Sequence, residues 1–247
     1  VEGDSLILEV AASGTQPLIY QWYKNGEALT GKIKEKLVFD SLKMDDAGRY
    51  MVKVQNDAGS ITTDPVEVIV YSQLQWVVEP KPARVIAGQV AEYRIDVSGS
   101  DPIIYEWFFN SKPIPNSNKS VLEIEDVSKA DIGSYQVVVK NPAGSLVSEE
   151  VKLTVVQPVT ILSQPTSETK LLGQGLTLGV VASGSEPLVY QWYKGEEAIE
   201  GAVTRELAFK VLKTDDEAKY SVSISNEAGT VVSDEVELTV HVPITLT

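Results

Sequence analysis

Leu18-Ile-Tyr-Gln-Trp22-Tyr23 decides the fold, because it returns as Ile103-Ile-Tyr-Glu-Trp107-Phe108 and again as Leu188-Val-Tyr-Gln-Trp192-Tyr193. The step is 85 residues each time. It also joins Tyr50, Tyr135 and Tyr220; Gly14, Gly99 and Gly184; Pro17, Pro102 and Pro187; and Asn56, Asn141 and Asn226, with no insertion between these anchors. A period of that size and regularity means one structural unit repeated in tandem.

Around the first tryptophan, six short strands are predicted: Ser5–Val10, Leu18–Tyr23, Lys36–Phe39, Tyr50–Gln55, Ser60–Thr63 and Pro65–Val70. Turn sets separate them: Ser13-Gly-Thr-Gln-Pro17, Lys24-Asn-Gly-Glu27 and Asn56-Asp-Ala-Gly59. Tyr50, Val52 and Val54 share one face, while Met51 and Lys53 point the other way. Tyr135-Val137-Val139 and Tyr220-Val222-Ile224 keep that alternation. Short strands with turns about every 8–12 residues and no helical periodicity predict an all-β chain of antiparallel sandwiches or barrels.

The core tryptophans and the corner Asp46-Ala-Gly48-Arg-Tyr50, repeated as Asp131-Ile-Gly133-Ser-Tyr135 and Asp216-Glu-Ala218-Lys-Tyr220, resemble immunoglobulin-like domains of the I-set kind over almost the whole chain. The third corner departs by having Ala218 for glycine. That resemblance implies three tandem sandwiches in a rod-like array. It also locates the family's half-cystine positions at Val10 and Val52, Ile95 and Val137, and Val180 and Val222. The chain has no cysteine, so aliphatic pairs stand where the family has a sulfur bridge. Losing a native disulfide costs about 2–5 kcal/mol. Burying a β-branched side chain returns about 1.5–3 kcal/mol, so the exchange roughly balances. Cysteine-free units with this Ala-Ser-Gly…Tyr-Gln-Trp-Tyr wording are similar to repeats of bacterial surface proteins and phage virions.

Three units of about 85 residues suit 247 residues better than one core does. The expected boundaries are 1–71, lacking an opening strand; 72–156; 157–241; and 242–247, the opening strand of a further unit. Gly88 and Gly173 follow a full opening strand, whereas Gly3 does not. Thr239-Val-His-Val-Pro-Ile-Thr-Leu-Thr247 parallels Thr154-Val-Val-Gln-Pro-Val-Thr-Ile-Leu162. Two explanations stand: a fragment of a longer array, or tails that complete a neighbouring molecule's first sheet by strand addition. The joints are not Gly/Ser-rich, so stiff articulation is expected.

A net charge of −14 argues against nucleic acid and anionic lipid. No apolar run reaches the roughly 18 residues of a membrane span. His241 is the only histidine, which removes a His-based triad or a zinc pair. Acidic residues at Asp45-Asp46, Glu149-Glu150, Asp215-Asp216-Glu217 and Asp234-Glu235 are read as solvated turns and caps, with calcium at a joint as the alternative. No nucleophile–base pair or cofactor loop assembles, so no catalytic residue, metal or cofactor is expected.

Trp76 lies outside the triplicated set, its equivalent in the third unit being Ile161. Phe108 and Phe109 replace the Tyr-Lys that follows the other two tryptophans. These three are the candidate partner contacts. The function expected is a non-enzymatic, extracellular structural or adhesive segment forming a stalk or filament on a bacterial or phage surface. Its expected partners are copies of itself, neighbouring repeats, surface protein or glycan. The alternative is a receptor module with its ligand site on the divergent second unit.

Overall fold

The computed structural model describes residues 1–244. Among them, helix is confined to one-turn 3-10 segments at Met44–Asp46, Lys129–Asp131 and Thr214–Asp216, each ending on the aspartate that opens an Asp-x-Gly/Ala-x-Tyr corner. By contact density the chain divides into two units: residues 1–81, 93–122 and 134–151, then 82–92, 123–133 and 152–247. That division runs through the second repeat, not between repeats.

In the first repeat, Leu6–Glu9 pairs with Lys36–Phe39 on one side of the core. On the other, Ile19–Lys24 pairs antiparallel with Gly48–Asn56, setting Trp22 opposite Val52. Gly59–Thr62 and Val66–Val68 pair with other stretches of that same long strand. The predicted Pro65–Val70 thus shortens to Val66–Val68, and a two-residue strand at Glu27–Ala28, invisible to period-two reading, pairs with Tyr23 and Lys24.

The second and third repeats reproduce this arrangement, with Trp107 opposite Val137 and Trp192 opposite Val222. They also carry an opening strand, and it departs from the sequence reading by splitting in two. Gln75–Val78 pairs antiparallel with Asp96–Ser98, whereas Ala83–Ile86 runs parallel to Leu153–Val156 in the other sheet. In the third repeat Thr160–Ser163 pairs with Val181–Ser183, and Glu168–Leu171 runs parallel to Leu238–His241. Pro80 and Pro82 in one, and Pro165 in the other, occupy the crossing. Proline lacks the N–H a ladder needs, so the strand leaves one sheet there and enters the other. The parallel pairs are additions to a sandwich otherwise antiparallel.

Each core centres on its indole. Trp22, Trp107 and Trp192 are buried, together with Tyr50, Tyr135 and Tyr220 and with Val52, Val137 and Val222. Ile95 and Val180 are buried as well, whereas Val10 is only partly so. His241 ends the last strand of the third repeat with its side chain exposed. Of the proposed 242–247 segment, residues 245–247 lie outside the described residues.

Candidate binding surfaces

The polar groups of the repeated core are occupied internally. Trp22 Nε1 donates to the Lys34 carbonyl at 2.9 Å, Trp107 Nε1 to Lys119 at 3.0 Å, and Trp192 Nε1 to Thr204 at 2.9 Å. An indole N–H taken from water without a partner would cost about 1–3 kcal/mol. The corner aspartates cap their turns: Lys43 N donates to Asp46 Oδ2, Ser128 N to Asp131 Oδ2 and Lys213 N to Asp216 Oδ2, all within 2.8 Å. Tyr50 and Tyr220 hydroxyls donate back to the Asp46 and Asp216 carbonyls at 2.6 and 2.7 Å. Burial, reinforced by the Asp216 charge, pushes Tyr220 up to about 12. These carboxylates therefore act as caps on their own turns.

The second repeat is packed differently. Phe39 and Phe209 meet the corner tyrosines edge-on at 5.6 and 5.5 Å, but the equivalent residue in the second repeat is Ile124. Tyr93, standing where the others have Leu8 and Leu178, fills the space by stacking 5.1 Å from Tyr135. Phe109 closes the other side at 4.9 Å from Tyr135. One sequence candidate for partner contact thus lies half-buried against the core, and Phe108, also half-buried, is on the opposite face. Tyr93 hydroxyl is buried without a partner, and burial raises its pKa far above the usual range.

The same repeat re-routes a loop. Gln21 and Gln191 side chains donate to the Leu29 and Ile199 carbonyls at 2.9 and 2.8 Å. Glu106 replaces that amide and cannot donate. Ser117 takes over, its hydroxyl donating to the Ile114 carbonyl at 2.7 Å and accepting from Trp107 N at 2.9 Å. Beside it a shallow groove is lined by Ile104, Glu106, Pro113, Pro115 and Asn118. Trp76 is half-buried and pairs with Val97.

The first repeat has no opening strand among the described residues. Residues 11–13, equivalent to the partners of Gln75–Val78 and Thr160–Ser163, pair with no strand among the described residues. A groove there is lined by Val10, Ala12, Ser13, Val54, Ile61 and Thr63. Ile61 is 73% exposed, whereas its equivalents Leu146 and Val231 are half-buried; Thr63 is exposed where Ser148 and Ser233 are buried.

Among the described residues, no group of His, Cys, Asp or Glu could hold a metal ion, and no helix is long and apolar enough to cross a membrane.

The immunoglobulin I-set domain model matches residues 1–70 and 74–155. The chain is 27% identical to the muscle M-line assembly protein unc-89 of Caenorhabditis elegans over 92% of its length, spanning 3% of that protein. It is 26% identical to human protogenin over 76% of its length, spanning 19% of that protein. It therefore corresponds to a small part of each. The three-domain I67–I69 fragment of titin superposes with a TM-score of 0.81 at 20% identity, covering 97% of this chain and 94% of the fragment, a likeness of fold. With two spans of the family model, the indole–aliphatic core and the tyrosine corner in agreement, this chain belongs to the immunoglobulin I-set family.

Proposed function

We propose that the chain is a non-enzymatic structural and adhesive segment, a run of I-set sandwiches that spaces and presents binding surfaces outside a cell as part of a stalk or filament. The observation that carries this reading is the repetition of cohesion: in each sandwich the same indole bonds outward to a backbone carbonyl and the same aspartate caps its own corner. Groups an active site would gather are thus engaged separately in each repeat. Relatives that are adhesion or muscle proteins support a mechanical or adhesive role. Being animal proteins, they weigh against the bacterial or phage surface expected from the cysteine-free wording. The boundaries 1–71, 72–156 and 157–241 are the corresponding domain proposal.

Stretching the chain between two handles tests the mechanical half. Three separate unfolding events are expected, two adding about 280–305 Å for about 85 residues and one about 235–255 Å for about 71, at roughly 3.3–3.6 Å apiece; one event releasing the full length would overturn it. The adhesive half predicts that beads coated with the chain are retained on animal cell layers, and beads that wash off like uncoated ones would overturn that.

A receptor reading is favoured by one feature, the loop re-routed through Ser117 beside Pro113 and Pro115 in the second repeat. In that reading Phe108 and the groove contact a protein or glycan. Phe108→Ala would then reduce retention at least about tenfold, a loss of about 1.4 kcal/mol, without changing the unfolding events.

A further inference from the structure

The sheet face of the second repeat that points away from its core differs from the same face of its neighbours. Register makes its central row Glu106, Val138 and Val147, with Ile104 and Lys140 one row along and Phe108 on the other side. The central row is Gln21, Lys53 and Thr62 in the first repeat, and Gln191, Ser223 and Val232 in the third. Ile104, Val138 and Val147 therefore form an unbroken aliphatic diagonal, which Lys53 or Ser223 interrupts in the other two repeats. Ile104 and Val147 are 58% and 55% exposed, and Val138 and Phe108 are half-buried.

One charge of each sign flanks that diagonal. Glu106 Oε2 lies 3.7 Å from Lys140 Nζ, across the diagonal of the strand pair. The first and third repeats have neutral Gln21 and Gln191 in place of Glu106, and Gln55 and Ser225 in place of Lys140. Those glutamines hold loop carbonyls with their side-chain amides. Ser117 holds the loop in the second repeat, so residue 106 is released from that duty and its carboxylate turns toward Lys140.

Such a face is complementary to itself. Neighbouring strands lie about 4.8 Å apart and advance about 3.3 Å per residue. A two-fold axis in the plane of the sheet that bisects the line from Glu106 to Lys140 therefore passes close to Ile104, Val138 and Val147. Each of these three meets its own copy across the axis, while Glu106 meets Lys140 of the second copy and Lys140 meets Glu106. No like charges oppose one another. The net charge of −14 resists the approach of two copies, but charges more than about 8 Å apart are largely screened at physiological salt.

We propose that this outer sheet face of the second repeat is a homophilic contact, docking on the same face of a second copy. The proposal rests on the adhesive reading above and names its partner. The contact is isologous and closes as a pair. The face is small, so a single contact has a dissociation constant of about 0.1–1 mM. It holds two surfaces together when many copies engage at once.

Sedimentation equilibrium of the chain should show dimer forming over that range, and beads coated with the chain should clump with one another. Val138→Lys, which copies the first repeat's Lys53, should abolish clumping and leave the far-UV spectrum unchanged. Glu106→Lys and Lys140→Glu should each stop clumping when used alone, because like charges then face across the axis. Beads of these two variants mixed together should clump again, since both exchanged pairs are then opposite in sign; a folding defect cannot produce that rescue. A chain that stays monomeric up to about 1 mM, charge variants that clump alone, or mixed variants that fail to clump would each overturn the proposal. Retention of coated beads on animal cell layers does not require bead-to-bead clumping, so the adhesive reading would survive that failure with a different molecule as partner.

Discussion

The first and third sandwiches share most of their core wording, yet one is sealed and the other open along an edge. Val180 is buried and Val10 only partly so; Ile224 is fully covered and Val54 nearly so, while Val231 is half-covered and Ile61 exposed. The side chains differ little, so the difference lies in a strand of about four residues laid across one edge.

The largest test of that contrast is removal of the indoles. Trp192→Ala should cost about 3–5 kcal/mol and unfold the third sandwich well before the others in a denaturant titration. Trp22→Ala should cost less, because the first core is already less enclosed; equal costs would mean the open edge is energetically silent. Next, Val180→Ala should cost about 2 kcal/mol from lost burial and a residual cavity, and Val10→Ala about half that.

Alkaline titration sharpens the comparison further. Tyr220 is held neutral in the folded state up to about 12, against an ordinary value of 10.0. The folded state keeps a proton that the unfolded chain releases. This stabilisation is therefore complete below pH 10 and is lost as pH rises toward about 12. The third sandwich should lose stability over that window, measured by circular dichroism at stepped pH, and Tyr220→Phe should abolish the dependence.

At neutral pH Tyr220→Phe should cost about 1 kcal/mol for the lost bond to the Asp216 carbonyl. The smallest effect is expected at Tyr93→Phe, which removes a buried hydroxyl without a partner and should be neutral or slightly stabilising. A loss of 1 kcal/mol or more there would mean that the hydroxyl has a partner after all.

Much of the architecture was legible in the sequence because it rests on local chemistry and period. Alternation along Tyr50–Val54 named the core face, and the turn sets bounded the strands. The splitting of the opening strand at Pro80, Pro82 and Pro165 could have been noticed from the prolines themselves, since a residue without an N–H cannot sit in mid-ladder. Parallel pairing of Ala83–Ile86 with Leu153–Val156 was beyond reach, because the partners lie some 70 residues apart. Phe108 and Phe109 looked alike in sequence. Alternation puts Phe109 on the same face as Trp107, where it meets Tyr135, and its equivalent Lys24 likewise lies over the Tyr50 ring. Asn56 reads the same as Asn141 and Asn226, and only the structure shows that its amide has one carbonyl partner among the described residues where theirs have two.

By itself the sequence determined the repeat, the sandwich class and the central indoles, because periodicity and side-chain type are properties of the chain alone; the aliphatic pairs at half-cystine positions followed from the resemblance to the I-set family. The tertiary structure alone decided which equivalent residues are covered and which hydrogen-bond donors have both partners. Burial and pairing are set by atoms from distant parts of the chain, and identical residues acquire different roles when those atoms are present at one site and missing at another.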